Sequence, residues 1–125
     1  MDSRKRSVLV VEDDLELSTV MDRILLSIDR DLILEWATSA EDASELLASA
    51  SRRLGGKLYD LIIADIDLEG IGTGLDLWNQ CRREYPTVPL VVTSGTHPDV
   101  VGPTFLQKPF SVRECRDLFA DLLNQ

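Results

Sequence analysis

The segment YDLIIADIDLEG, Tyr59 to Gly70, holds four consecutive apolar residues, Leu61-Ile62-Ile63-Ala64, that stop at Asp65. A run this short and continuous is the pattern of a strand covered on both faces, as in a parallel sheet flanked by helices. A buried carboxylate without a partner is costly. Asp65 is therefore the first position at which chemistry is expected.

Similar runs lie to either side. Upstream, Val8-Leu9-Val10-Val11 predicts the first strand, and Leu17, Val20, Met21, Ile24 and Ile28 then recur at helical spacing. Leu32 to Trp36 predicts the second strand. Thr38 and Glu41 have capping-box spacing for a helix through Ala43, Leu46 and Leu47, which Gly55 and Gly56 end. Downstream, a glycine-rich loop from Gly70 to Gly74 leads into a helix with Leu75, Trp78 and Cys81 on one face, ended by Pro86 and Pro89. Leu90-Val91-Val92 predicts the fourth strand and Thr104 to Leu106 a short fifth. Ser111 and Glu114 cap a last helix that turns Cys115, Leu118, Phe119 and Leu122 inward. Trp36 and Trp78 are expected to be packing residues, and Asp14 a helix cap. His97 has no second ligand or nucleophile to give it a role.

Strands alternating with helices over 125 residues predict one α/β domain, residues 1–125, built on a doubly wound sheet. The net charge of -9 disfavours nucleic acid and anionic membrane as partners. No targeting or membrane segment is visible in the sequence. Cys81 and Cys115 have neither zinc-site nor redox-pair spacing and are expected to be reduced core residues, in keeping with a cytoplasmic protein.

Doubly wound sheets bind ligands at the carboxyl ends of their strands. Here strand one ends in Glu12-Asp13-Asp14, strand three in Asp65 and then Asp67, strand four in Thr93-Ser94-Gly95, and strand five runs into Lys108-Pro109-Phe110. Clustered carboxylates repel unless a cation sits among them, and magnesium favours such hard oxygen ligands. A carboxylate can also act as a nucleophile towards phosphorus. The metal, Lys108 and Ser94 would then each serve one phosphoryl oxygen.

VLVVEDD, YDLIIADIDLEG, PLVVTSG and FLQKPF, in this order, resemble the receiver domain of bacterial two-component response regulators from Val8 to the last helix. The resemblance implies a flavodoxin-like five-stranded parallel sheet of order 2-1-3-4-5. It implies Asp65 as phosphoacceptor and a Mg2+ site formed by Glu12, Asp13, Asp65 and the backbone carbonyl of Asp67. Ser94 matches the switch hydroxyl, with small Gly95 leaving room for the phosphoryl group. Phe105 matches the aromatic that moves with that switch, and Lys108 the lysine whose bond to proline is usually cis. The implied phosphodonor is a phosphohistidine on a sensor histidine kinase or phosphotransfer protein.

Two features depart from the family pattern. Leu68-Glu69 replaces the usual apolar-proline pair, and Gly74 arrives one residue late. Gly95 to Pro103 is also short for a crossover, which takes about 10–12 residues with its helix. The helix between strands four and five is thus expected to be reduced or missing. Sheet surface left uncovered there would provide a non-standard face for a partner or a homodimer.

With no residues after the last helix for an output domain, a stand-alone switch signalling by protein contact is expected, not an enzyme beyond intrinsic phosphotransfer and autodephosphorylation. The alternatives are a phosphorylation-independent interaction module and, from Asp65-Ile66-Asp67, a phosphatase of the haloacid dehalogenase type. Against the phosphatase, the aspartate pair follows the third strand and the chain leaves no room for a cap.

Overall fold

Three strands, β1 (Ser7–Val11), β3 (Leu61–Asp65) and β4 (Leu90–Ser94), are buried along their whole length, as continuous apolar runs require between two helical layers. They form the centre of a five-stranded sheet in a computed structural model that describes residues 5–68, 73–95 and 103–124. The edge strands are β2 (Ile33–Ala37) and β5 (Thr104–Gln107). Every pairing is parallel and the order is β2-β1-β3-β4-β5, the expected flavodoxin-like arrangement.

Helices α1 (Leu15–Ile28) and α4 (Val112–Leu123) cover one face. Met21, Ile24, Leu25, Cys115 and Phe119 pack there on Val8, Val10, Leu61, Ile63 and Val91. Helices α2 (Ala40–Arg53) and α3 (Gly74–Glu84) cover the other, with Ala43, Leu47, Leu77 and Cys81 on Leu9, Val11, Ile62, Ala64 and Val92. Both cysteines are free and buried, as expected. No helix among the described residues is long and apolar enough to cross a membrane.

Several local expectations are corrected. α2 is capped by Ser39, whose Oγ accepts from Asp42 N at 3.1 Å, not by Thr38. The inward stripe Ala40, Ala43, Leu47 and Ala50 sets this frame. Val20 is exposed and Leu25 fills the core position instead. Trp36 is 53% exposed, because β2 is an edge strand with no neighbour beyond it among the described residues, and its indole N–H donates to Asp22. Trp78 packs half-buried against the core, with the Arg82 guanidinium 4.7 Å from its ring centre.

Among the described residues no helix lies between β4 and β5; the reduced helix expected there, and His97, fall in residues 96–102, outside them. Beside this crossover, among the described residues, β5 is the open part of the sheet, with Thr104 and Gln107 exposed, Phe105 half-buried and only Leu106 buried. β4 is buried from Leu90 to Ser94 by α3 on one face and α4 on the other. The exposed large apolar residues lie elsewhere, on α1, β2 and the start of α4.

Candidate functional site

The carboxyl ends of β1, β3, β4 and β5 bring most of the expected residues together. Beyond β1, Glu12 N donates to Ala37 O at 2.9 Å, and the Glu12 side chain is buried. Glu12 Oε2 accepts from Asp14 N at 3.1 Å, while Asp14 caps α1 by accepting from Glu16 N and Leu17 N, as expected.

Asp65 ends β3 opposite Thr93 of β4, and the following Ile66 N donates to Thr93 O at 2.9 Å. Its carboxylate is buried and doubly held. Oδ1 accepts from Asp67 N at 3.1 Å, and Oδ2 from Lys108 Nζ at 3.0 Å. Lys108 is set by its own backbone N–H, which donates to Ser94 O at 2.7 Å, and the Lys108–Pro109 bond is cis. Lys108 Nζ also lies 3.6 Å from Glu12 Oε1, so one ammonium serves two carboxylates.

Ser94 is buried at the end of β4, beside Gly95, where a side chain would meet nothing within 4 Å. Phe105 of β5 is half-buried against the α2/α3 core and pairs in register with Val92. The Asp67 side chain is exposed and lies outside the acidic cluster, while its backbone N–H donates to Asp65 Oδ1.

Burial of Glu12 raises its pKa to about 7; the Asp65 charge adds to this, and the Asp14 N–H and Lys108 oppose it. Burial alone would lower the Lys108 pKa, but the hydrogen bond to Asp65 and the two carboxylate charges outweigh it and raise the pKa.

Carboxylate oxygens of Glu12, Asp13 and Asp65 lie within 4.8 Å of one another, and Glu12 Oε1 is buried without a hydrogen-bond partner. An all-oxygen donor set with an unsatisfied buried oxygen suits a hard divalent cation such as Mg2+.

Sequence reasoning missed the steric role of Gly74. A Cβ there would fall 2.3 Å from the backbone oxygen of Asp65 and 2.9 Å from Ile66 Cα, so α3 seats directly on the Asp65–Ile66 peptide. Thr73 and Asp76 fix this start with a full capping box, a T-x-x-D signal that the sequence carries in plain view.

The model of the response regulator receiver domain family matches residues 8–119. Among solved structures, a response regulator receiver protein from Sinorhizobium medicae WSM419 has a TM-score of 0.79 at 22% identity, covering 98% of both chains. The non-phosphorylated HemR receiver domain from Leptospira biflexa has 0.76 at 22% identity, covering 97% of this chain and 96% of its own. The Mn(2+)-bound form of response regulator Rcp1 has 0.71 at 16% identity, covering 94% and 91%. These likenesses show the shared fold, and the family match, spanning all the strand ends described above, shows that the chain belongs to the response regulator receiver domain family.

Proposed function

We propose that the chain is a phosphoacceptor switch of a two-component pathway, with Asp65 as the acceptor. An Asp65 carboxylate oxygen attacks the phosphorus of a phosphohistidine on a sensor histidine kinase or phosphotransfer protein. The P–N bond breaks, and the leaving imidazole keeps the electron pair and takes a proton. The observation that carries this reading is the buried Asp65 carboxylate held 3.0 Å from Lys108 Nζ at the mouth of an acidic cluster.

Glu12, Asp13, Asp65 and the Asp67 carbonyl would hold Mg2+, which when bound neutralises charge on the phosphoryl oxygens. Lys108 stays protonated beside its two carboxylates and is available to a second phosphoryl oxygen. The Ser94 hydroxyl takes a third, and its movement releases Phe105 to repack on β5. Output is by protein contact, with a downstream protein or a second copy through a non-standard face. Two free thiols in the core suit a cytoplasmic setting.

Intact mass after incubation with acetyl phosphate and Mg2+ tests the proposal. A magnesium-dependent gain of one phosphoryl group in wild type, absent in Asp65→Asn, is the expected result. No gain with acetyl phosphate or with a phosphohistidine donor would overturn it in favour of the phosphorylation-independent module.

A further inference from the structure

The outward face of α2 is polarised along its length. Glu45 and Asp42 are exposed towards its start, Ala48 is exposed near the middle, and Arg52 is exposed in its last turn. Glu45, Ala48 and Arg52 recur at helical spacing, so they lie on one stripe. A groove beside this stripe is lined by Trp36, Asp42, Glu45, Leu46, Ser49 and Arg53, running from the β2 edge across the helix. Trp36, more than half exposed, forms its apolar wall, and β2 has no strand on its outer side among the described residues.

This charge order fits a copy of itself. A two-fold axis between Ala48 and Ser49 sets two α2 helices antiparallel, which places Glu45 of one opposite Arg52 of the other, twice over. The small side chains at the crossing let the helices approach closely. The two Trp36 rings flank the seam and lose exposed apolar surface. A parallel approach would instead oppose acid to acid and base to base. Arg53 is already engaged by Glu35 and Tyr59 and stays with its own chain, leaving Arg52 as the cation that faces outward.

We infer that a second copy of this chain docks antiparallel along α2 and the β2 edge, an isologous contact centred between Ala48 and Ser49. It stands apart from the phosphoacceptor site and does not rest on the reading of Asp65.

Sedimentation analysis of the full chain across a wide concentration range tests this, with circular dichroism checking that each variant keeps its helix content. Wild type is expected to show a monomer–dimer equilibrium. Arg52→Glu and Glu45→Arg each turn two attractions into two repulsions and should weaken the dimer by about tenfold or more. The double variant Glu45→Arg with Arg52→Glu restores opposite charges across the axis and should recover affinity to within about threefold. A wild type that stays monomeric throughout, single variants that dimerise unchanged, or a double variant as weak as the singles would overturn the inference. Because positions 45 and 52 are both exposed, a loss of dimer in a fully helical variant cannot be laid to misfolding.

Discussion

Glu12 and Asp65 are neighbouring buried carboxylates, but only Asp65 has both oxygens satisfied, by Asp67 N and Lys108 Nζ. Glu12 keeps one orphaned oxygen and a pKa raised to about 7. The folded chain therefore holds a proton that the unfolded chain releases above its ordinary value near 4.5. The stability this supplies is full below that value and lost as pH rises through about 7. In metal-free buffer, Glu12→Gln should gain about 1–3 kcal/mol over wild type at pH 8 relative to pH 4.5. Urea denaturation at the two pH values checks this, and equal differences at both would refute it. The acids at the strand ends were legible because charges that interrupt apolar runs stand out in the sequence. The imbalance between these two was not, since it depends on how deeply the fold buries Glu12 and on how one lysine, far away along the chain, divides itself between them.

At the scale of elements, the helix starts are where local sequence proved ambiguous. Thr38-Ser39-Ala40-Glu41-Asp42 contains two overlapping capping frames, and burial of Ala43 and Leu47 selects the one that begins at Ser39. Ser39→Ala should cost about 1 kcal/mol by chemical denaturation and Thr38→Ala clearly less; the reverse order would restore the Thr38 frame. β2 was found but its wet side was not, because a five-residue strand with a tryptophan looks like core until its place at the edge is known. The contact of Gly74 with the Asp65 carbonyl is a tertiary distance that no spacing rule contains. Gly74→Ala should destabilise by about 2 kcal/mol or more, since backbone and not a yielding side chain blocks the methyl group. Gly95→Ala, facing open space, should cost less than about 1 kcal/mol in the same assay.

For the molecule as a whole, the parallel direction of the strands followed from alternating apolar runs and amphipathic stretches, because a parallel sheet needs each crossover to bury one helical stripe, whereas their order came from the resemblance to receiver domains. A cation bound at the acidic end is linked to folding of the entire domain. Magnesium at about a hundredfold over its Kd should add about 2.7 kcal/mol to stability and raise Tm, and a chelator should reverse the gain. Asp13→Asn should abolish most of that response, and an equal response in wild type and variant would argue against the site.

The hydrogen bond between Asp65 and Lys108 joins residues 43 apart, and the ammonium comes from the residue just after β5, the last strand of the described sheet to be synthesised. On the ribosome, the acidic pocket is therefore translated well before its cation. A nascent chain that has made β1 and β3 but not β5 carries Glu12, Asp13 and Asp65 with no ammonium among them, and their mutual repulsion opposes early closure of that end of the sheet. Completion of β5 and the lysine beyond it relieves the repulsion, so the same residue that serves the finished site also makes its assembly wait until that strand has been made.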